Sequence, residues 1–267
     1  MKKQLDRGQG FSILELMVAM AIFLVICAAM FGLLQMSQRK FSSESQMSGS
    51  FQEARLAIDQ IVRDVNVAGY PSLSMFSAVP SSPASYAVGP VAWSPNYPAA
   101  SCVVGTGGSG TCVSPGDYDL IVETRLGTDT TVSWVRYHFD PTTSTLYRAV
   151  VTKNGGDPVT ATSGAGVMVP FLSNFMNNPG SALLGQITAT YPSMFPGGQP
   201  QPIFQYTCDT PARAVPCSTA GFSAIPQNIR DVDVTLIVAT PQRDMQTQTL
   251  KLVELNGRGH RLNNPTN

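Results

Sequence analysis

The apolar pattern is concentrated at one end of the chain. A short basic stretch, MKKQLDRGQG, leads straight into FSILELMVAMAIFLVICAAMFGLL, Phe11 to Leu34, and no charge falls between Leu16 and Leu34. As a helix this run is about 36 Å long, enough to cross a hydrocarbon core of about 30 Å. From Met36 the pattern turns amphipathic. Met47, Phe51, Ala54, Ile58, Ile61, Val65 and Ala68 recur at helical spacing, the stripe of a helix facing a partner. Glu53, Arg55, Asp59, Gln60, Arg63 and Asp64 fall on the opposite side. No proline interrupts Phe11 to Tyr70, and Gly69-Tyr70-Pro71 supplies a stop. The expectation is one helix over 11–70, about 58 residues and roughly 87 Å long, membrane-spanning over 11–34 and amphipathic over 35–70. A coiled coil over 47–68 is the rival, but the run is short for one and follows a membrane-length segment.

The remainder, 71–267, alternates differently. Residues 71–116 are rich in Pro, Ser, Gly and Ala and predict a long loop. Strand patterns follow at 119–124 and 131–139, where Val135, Tyr137 and Phe139 oppose Arg136 and His138. A turn at 140–144 leads to a return strand at 146–151. Val232, Val234, Leu236 and Val238 alternate with Asp233, Thr235 and Ile237, and 246–255 is expected to pair with them after a turn at 241–244. Residues 152–227 are Pro- and Gly-rich and give no firm assignment. The fold class is α+β: a long N-terminal helix packed on an antiparallel β-sheet head with long loops.

Composition narrows the partners. Lys+Arg 17 balances Asp+Glu 17, so the chain lacks the basic footprint of a nucleic-acid-binding protein. Charged residues make up only 13%, a density that suits a chain lying partly in lipid and partly against other subunits. Cys27 lies inside the apolar run, whereas Cys102, Cys112, Cys208 and Cys217 form two close pairs in the head. Short loops close most readily, which favours Cys102–Cys112 and Cys208–Cys217 and places the head in an oxidising compartment. Zinc would want a tighter spacing within each pair. The glycines between Cys102 and Cys112 lack the Lys-Ser/Thr and the strand-to-helix setting of a phosphate loop. His138 and His260 have no nucleophile at a suggestive spacing, so no catalytic constellation and no cofactor is expected. Asp117 with Asp119, or Asp231 with Asp233, are oxygen donors of the kind calcium takes, although paired acids at strand starts more often face solvent.

The N-terminus carries the most specific chemistry. A cleaved secretory signal or a plain signal anchor accounts for the apolar run but not for Glu15 within it. A carboxylate costs about 2.5–3.5 kcal/mol at mid-bilayer, less near an edge, and is by default a functional group there. Gly10-Phe11-Ser12-Ile13-Leu14-Glu15 resembles the prepilin cleavage and methylation motif: Gly before the cut, Phe after it, Glu at the fifth mature position. The resemblance implies a type IV pilin-like fold. It also implies removal of residues 1–10 by a membrane prepilin peptidase and N-methylation of Phe11. Glu15 would then be the partner of a neighbouring subunit's ammonium, since charges in apolar surroundings are tolerated only in pairs.

Two further stretches refine the resemblance. The helix end Arg63-Asp64-Val65-Asn66-Val67-Ala68-Gly69-Tyr70 resembles that of PilW-type minor pilins. The hairpin from Val135-Arg136-Tyr137-His138-Phe139-Asp140 to Leu146-Tyr147-Arg148 is similar to one shared by those proteins and the J-type minor pseudopilins of type II secretion. What this implies is a structural subunit that primes or tips a type IV filament, with a type II pseudopilin or a surface-binding tip module (for another cell, a surface or DNA) as alternatives. The implied partners are the peptidase, other major and minor pilins and the inner-membrane assembly platform. The implied location is the inner membrane with a periplasmic head, and later the filament at the cell surface.

Overall fold

A computed structural model describes residues 12–105, 110–244 and 247–263. Its first element, α1 (Ile13–Asn66, 54 residues), is one unbroken helix. It runs through Gly32 and Gly49, where an added Cβ would meet nothing. Among the described residues none before Ser50 is buried. The buried set, Ser50, Ala54, Ala57, Ile58, Ile61, Asp64 and Val65, keeps the predicted stripe but begins later, because Met47 and Phe51 are each 41% exposed. The helix also stops sooner than 70. Val67 caps it with its N–H on the Arg63 carbonyl. Gly69, at φ +79°, then turns the chain and donates its N–H to the Glu123 carbonyl at 2.7 Å.

The head contains two antiparallel sheets where one was expected. The first has the order β1 (Asp119–Arg125), β2 (Val132–Asp140), β3 (Thr145–Thr152), β4 (Val169–Leu172). The second has the order β6 (Ala214–Pro216), β5 (Phe204–Asp209), β7 (Ile229–Ala239), β8 (Leu252–His260). The weakly patterned region between holds α2 (Pro158–Thr162) and α3 (Ser181–Thr190). Phe175 bridges to Val238 and also donates its N–H to Ser144, linking the turn between β2 and β3 to the second sheet.

β8 lies further along the chain than predicted, at Leu252–His260 in place of 246–255. The turn after β7 is wider, and Ala239 pairs with Leu252. Its glycines are contact residues. The second half of α1 lies on β8 and β7. A Cβ on Gly257 would come within 2.5 Å of Ile58 Cγ2, and one on Gly259 within 2.6 Å of Val65 Cβ.

Residues 70–116 are the largest departure from expectation. They form short 3-10 turns and isolated bridges, yet Val91, Ala92 and Trp93 are fully buried. Val91 bridges to Val122, and Trp134 meets Tyr97 edge-on at 5.6 Å between centroids. This segment and α2 cover the face of the first sheet that carries Glu123, Trp134 and Arg136. Arg136 therefore does not face solvent as the alternation predicted. Its Nη1 donates to the Val159 carbonyl and the Ser163 hydroxyl of the α2 region.

Candidate functional site

The free half of α1 is the most prominent feature of the molecule. Ser12 is its N-cap, with extended backbone, and its carbonyl accepts from the Leu16 N–H. From Ile13 to Ser42 the helix projects about 45 Å from the head, with Ile13, Leu16, Phe23, Val25, Phe31 and Leu33 all exposed; Ser43 Oγ makes the first bond to the head, donating to Asp244 Oδ2 at 2.9 Å. Glu15 sits exposed in the first turn. Cys27 is a free thiol on this half. Gly10 and Phe11, the expected cleavage and methylation residues, lie outside the described residues. An apolar surface of this extent needs lipid or other helices around it.

The other half is fixed to the head by a buried polar knot. Asp64 was predicted on the solvent side of the helix, and it is 2% exposed. Its Oδ2 accepts from the Tyr137 hydroxyl at 2.6 Å and from Arg148 Nη2 at 3.0 Å, and its Oδ1 accepts from Gln60 at 2.8 Å. Tyr137 and Arg148 are register partners on β2 and β3, and Arg148 Nε donates to the Tyr137 oxygen. Burial, and then the Asp64 charge, raise the Tyr137 pKa well above its ordinary value, so the hydroxyl stays a donor. The helix end and the hairpin, noted separately in the sequence, are thus bonded to each other. The signal was present in the stripe: Ala57, Ile61, Asp64 and Ala68 follow at helical spacing.

A second knot went unpredicted. Glu123 and Lys153 are buried together, Nζ 3.2 Å from Oε2, with side-chain exposures of 1% and 0% for lysine and glutamate. The Glu123 carboxylate also accepts from the Tyr97 hydroxyl, from Trp134 Nε1 at 3.1 Å and from the Val88 N–H at 2.7 Å. Lys153 donates to the Tyr86 carbonyl at 2.7 Å. These contacts hold the 86–97 stretch against the sheet.

Of the acids considered for calcium, Asp119, Asp231 and Asp233 are bonded to basic side chains. Asp119 is buried and bonded to Arg136 through Nε and Nη2, and to His138 Nδ1 at 2.6 Å. Asp231 contacts His260 Nδ1 at 2.5 Å, and Asp233 takes both arms of Arg258. Among the described residues no group of three or more His, Cys, Asp or Glu side chains is arranged to hold a metal. Disulfides join Cys102 to Cys112 and Cys208 to Cys217.

A long apolar N-terminal helix whose second half docks on a head of two antiparallel sheets is a pilin-like α+β architecture. Residues 6–31 match the family model for the prokaryotic N-terminal methylation motif, and the match supports a prepilin-type protein, a type IV pilin or pseudopilin. No match was found among curated proteins or among solved structures. The motif implies processing by a prepilin peptidase and assembly with other pilins, and with the apolar helix it fits membrane anchoring.

Proposed function

We propose that this chain is a scarce, PilW-type minor pilin that acts at the tip or in the initiating complex of a type IV filament. Its role is structural and not catalytic. The observation that carries the reading is the bare apolar half of α1, with Glu15 in its first turn, over which the methylation motif runs. The minor role is supported by the head. Residues 71–267 form two sheets with long connections, and a body of that bulk repeated at every helical step would have to pack against itself throughout a filament. A subunit at one end escapes that constraint over most of its surface. The bond between Asp64 and the Tyr137–Arg148 hairpin supports the PilW-type assignment, because it joins the two stretches in which that resemblance lies. The two disulfides suit a periplasmic head on a single-pass inner-membrane precursor, exposed later on the filament. Beyond the peptidase, the proposed partners are other major and minor pilins and the inner-membrane assembly platform.

Quantitative mass spectrometry of sheared filaments tests the proposal. Trace stoichiometry is expected, and deletion of the gene should lower filament number far more than that share of mass. Finding this chain as the main filament component contradicts the minor role. Co-purification with secretion-system proteins in place of pilus proteins contradicts the type IV setting.

A further inference from the structure

The Glu123–Lys153 pair brings a carboxylate and an amine together against the first sheet. Both side chains are buried, and Nζ lies 3.2 Å from Oε2. The carboxylate is not held symmetrically. The Tyr97 hydroxyl and the Trp134 indole N–H both donate to Oε1, whereas the amine donates to Oε2. Oε2 faces the amine and the Val88 N–H. Lys153 Nζ is set among aromatic rings, 4.9 Å from the Tyr86 centroid and 5.6 Å from that of Tyr97. Its carbonyl contact with Tyr86 and its contact with Oε2 fix it in direction.

We propose that Glu123 and Lys153 condense to an isopeptide bond, a covalent clamp from β1 to the residue that follows β3. The ammonium first passes one proton to Oε2. The freed lone pair on Nζ attacks Cδ, and the carbonyl electron pair moves onto Oε1, where the Tyr97 and Trp134 donors stabilise the developing oxyanion. The Cδ–Oε2 bond then breaks, and Oε2 leaves as water with a second proton from Nζ. Ammonium and carboxylate become amide and water, with no change of oxidation state and no co-reactant.

Three physical features favour this step. Both reacting groups are held in contact by packing, which removes the entropy cost of bringing them together. The charged pair bears a desolvation penalty that a neutral amide does not. Burial, opposed by Glu123, holds the Lys153 pKa below that of an ordinary lysine, which eases formation of the neutral amine. Burial and the Glu123 charge likewise keep Tyr97 protonated as a donor.

Intact mass spectrometry of the full chain, extracted in detergent, denatured and reduced, tests this directly. The expected mass is one water below that of the processed sequence. Trypsin should fail to cut after Lys153 and should yield a branched peptide joining it to Glu123. The Lys153→Arg chain should regain the water. Should that variant fail to fold, the wild-type mass decides alone. A wild-type chain at the unlinked mass, with linear peptides ending at Lys153, overturns the proposal, as does water lost from any other residue. Leader removal alters a different peptide, so the two processing events are scored separately.

Discussion

Single residues set where the charge in this chain is tolerated. Asp64 is a buried carboxylate whose partners come from another element altogether, so its truncation strands Arg148 and the Tyr137 hydroxyl. Asp64→Ala is expected to cost about 3 kcal/mol, the low end for breaking a buried pair because Arg148 keeps some solvent access. Tyr137→Phe, which leaves the ion pair intact, should cost only about 1 kcal/mol. Urea unfolding measures both, and an Asp64→Ala chain as stable as wild type contradicts the anchoring role. The tyrosines set a pH limit. Tyr97, Tyr118, Tyr137 and Tyr206 all lie above the ordinary value of 10.0, through burial first and a nearby carboxylate second, with Tyr118 pushed up to about 12. The folded chain keeps these protons after the unfolded chain has released them. Stability should therefore be insensitive to them below pH 10.0 and fall as pH rises above it. Tyr206→Phe should flatten that fall, and stability that holds or rises through the window contradicts the burial of these hydroxyls. The burial of Asp64 was misread from its charge, although helical spacing aligns it with Ala57, Ile61 and Ala68. The pairing of Glu123 was not legible, because its partner Lys153 is 30 residues away and only the folded sheet brings them together.

At the scale of elements, the helix was legible because its period is long and its composition extreme, and the β2–β3 hairpin because its turn chemistry is local. Of the second sheet, the pairing of β7 with the strand after it was legible, though displaced along the chain, whereas β5 and β6 were not, because they are short and lie in the Pro- and Gly-rich stretch that gave no firm assignment. The glycines of β8 let α1 approach the sheet. Gly259→Ala should cost about 2 kcal/mol by overpacking against Val65. Adding Val65→Ala should recover part of that loss, giving a coupling energy in a double-mutant cycle. Additive losses contradict the close helix–strand contact. The 70–116 segment misled for a different reason. Its Pro, Ser and Gly content marks turns, but from Val65 to Gly116 there is no charged residue at all, while Tyr86, Trp93 and Tyr97 lie within it. A stretch without charge and with large aromatics is suited to covering a sheet, and this one does.

The whole molecule divides its helix between two environments. The head holds α1 from Ser43 onward, burying it from Ser50, and the apolar remainder is left for lipid and then for sister subunits. Glu15 lies in that remainder, so Glu15→Ala should insert at least as well as wild type. It should enter filaments poorly, because a neighbouring ammonium loses its partner. Immunoblots of membranes against sheared filaments separate the two effects, and wild-type incorporation contradicts the pairing role. Everything said of assembly depends on the chain first being processed as a prepilin. The most direct test is the N-terminal peptide mass of the protein extracted from membranes. The account predicts a chain that begins at Phe11, has lost residues 1–10 and carries one added methyl group on its amino terminus. A mature chain that begins after Ala29, or one that keeps its first ten residues, contradicts it.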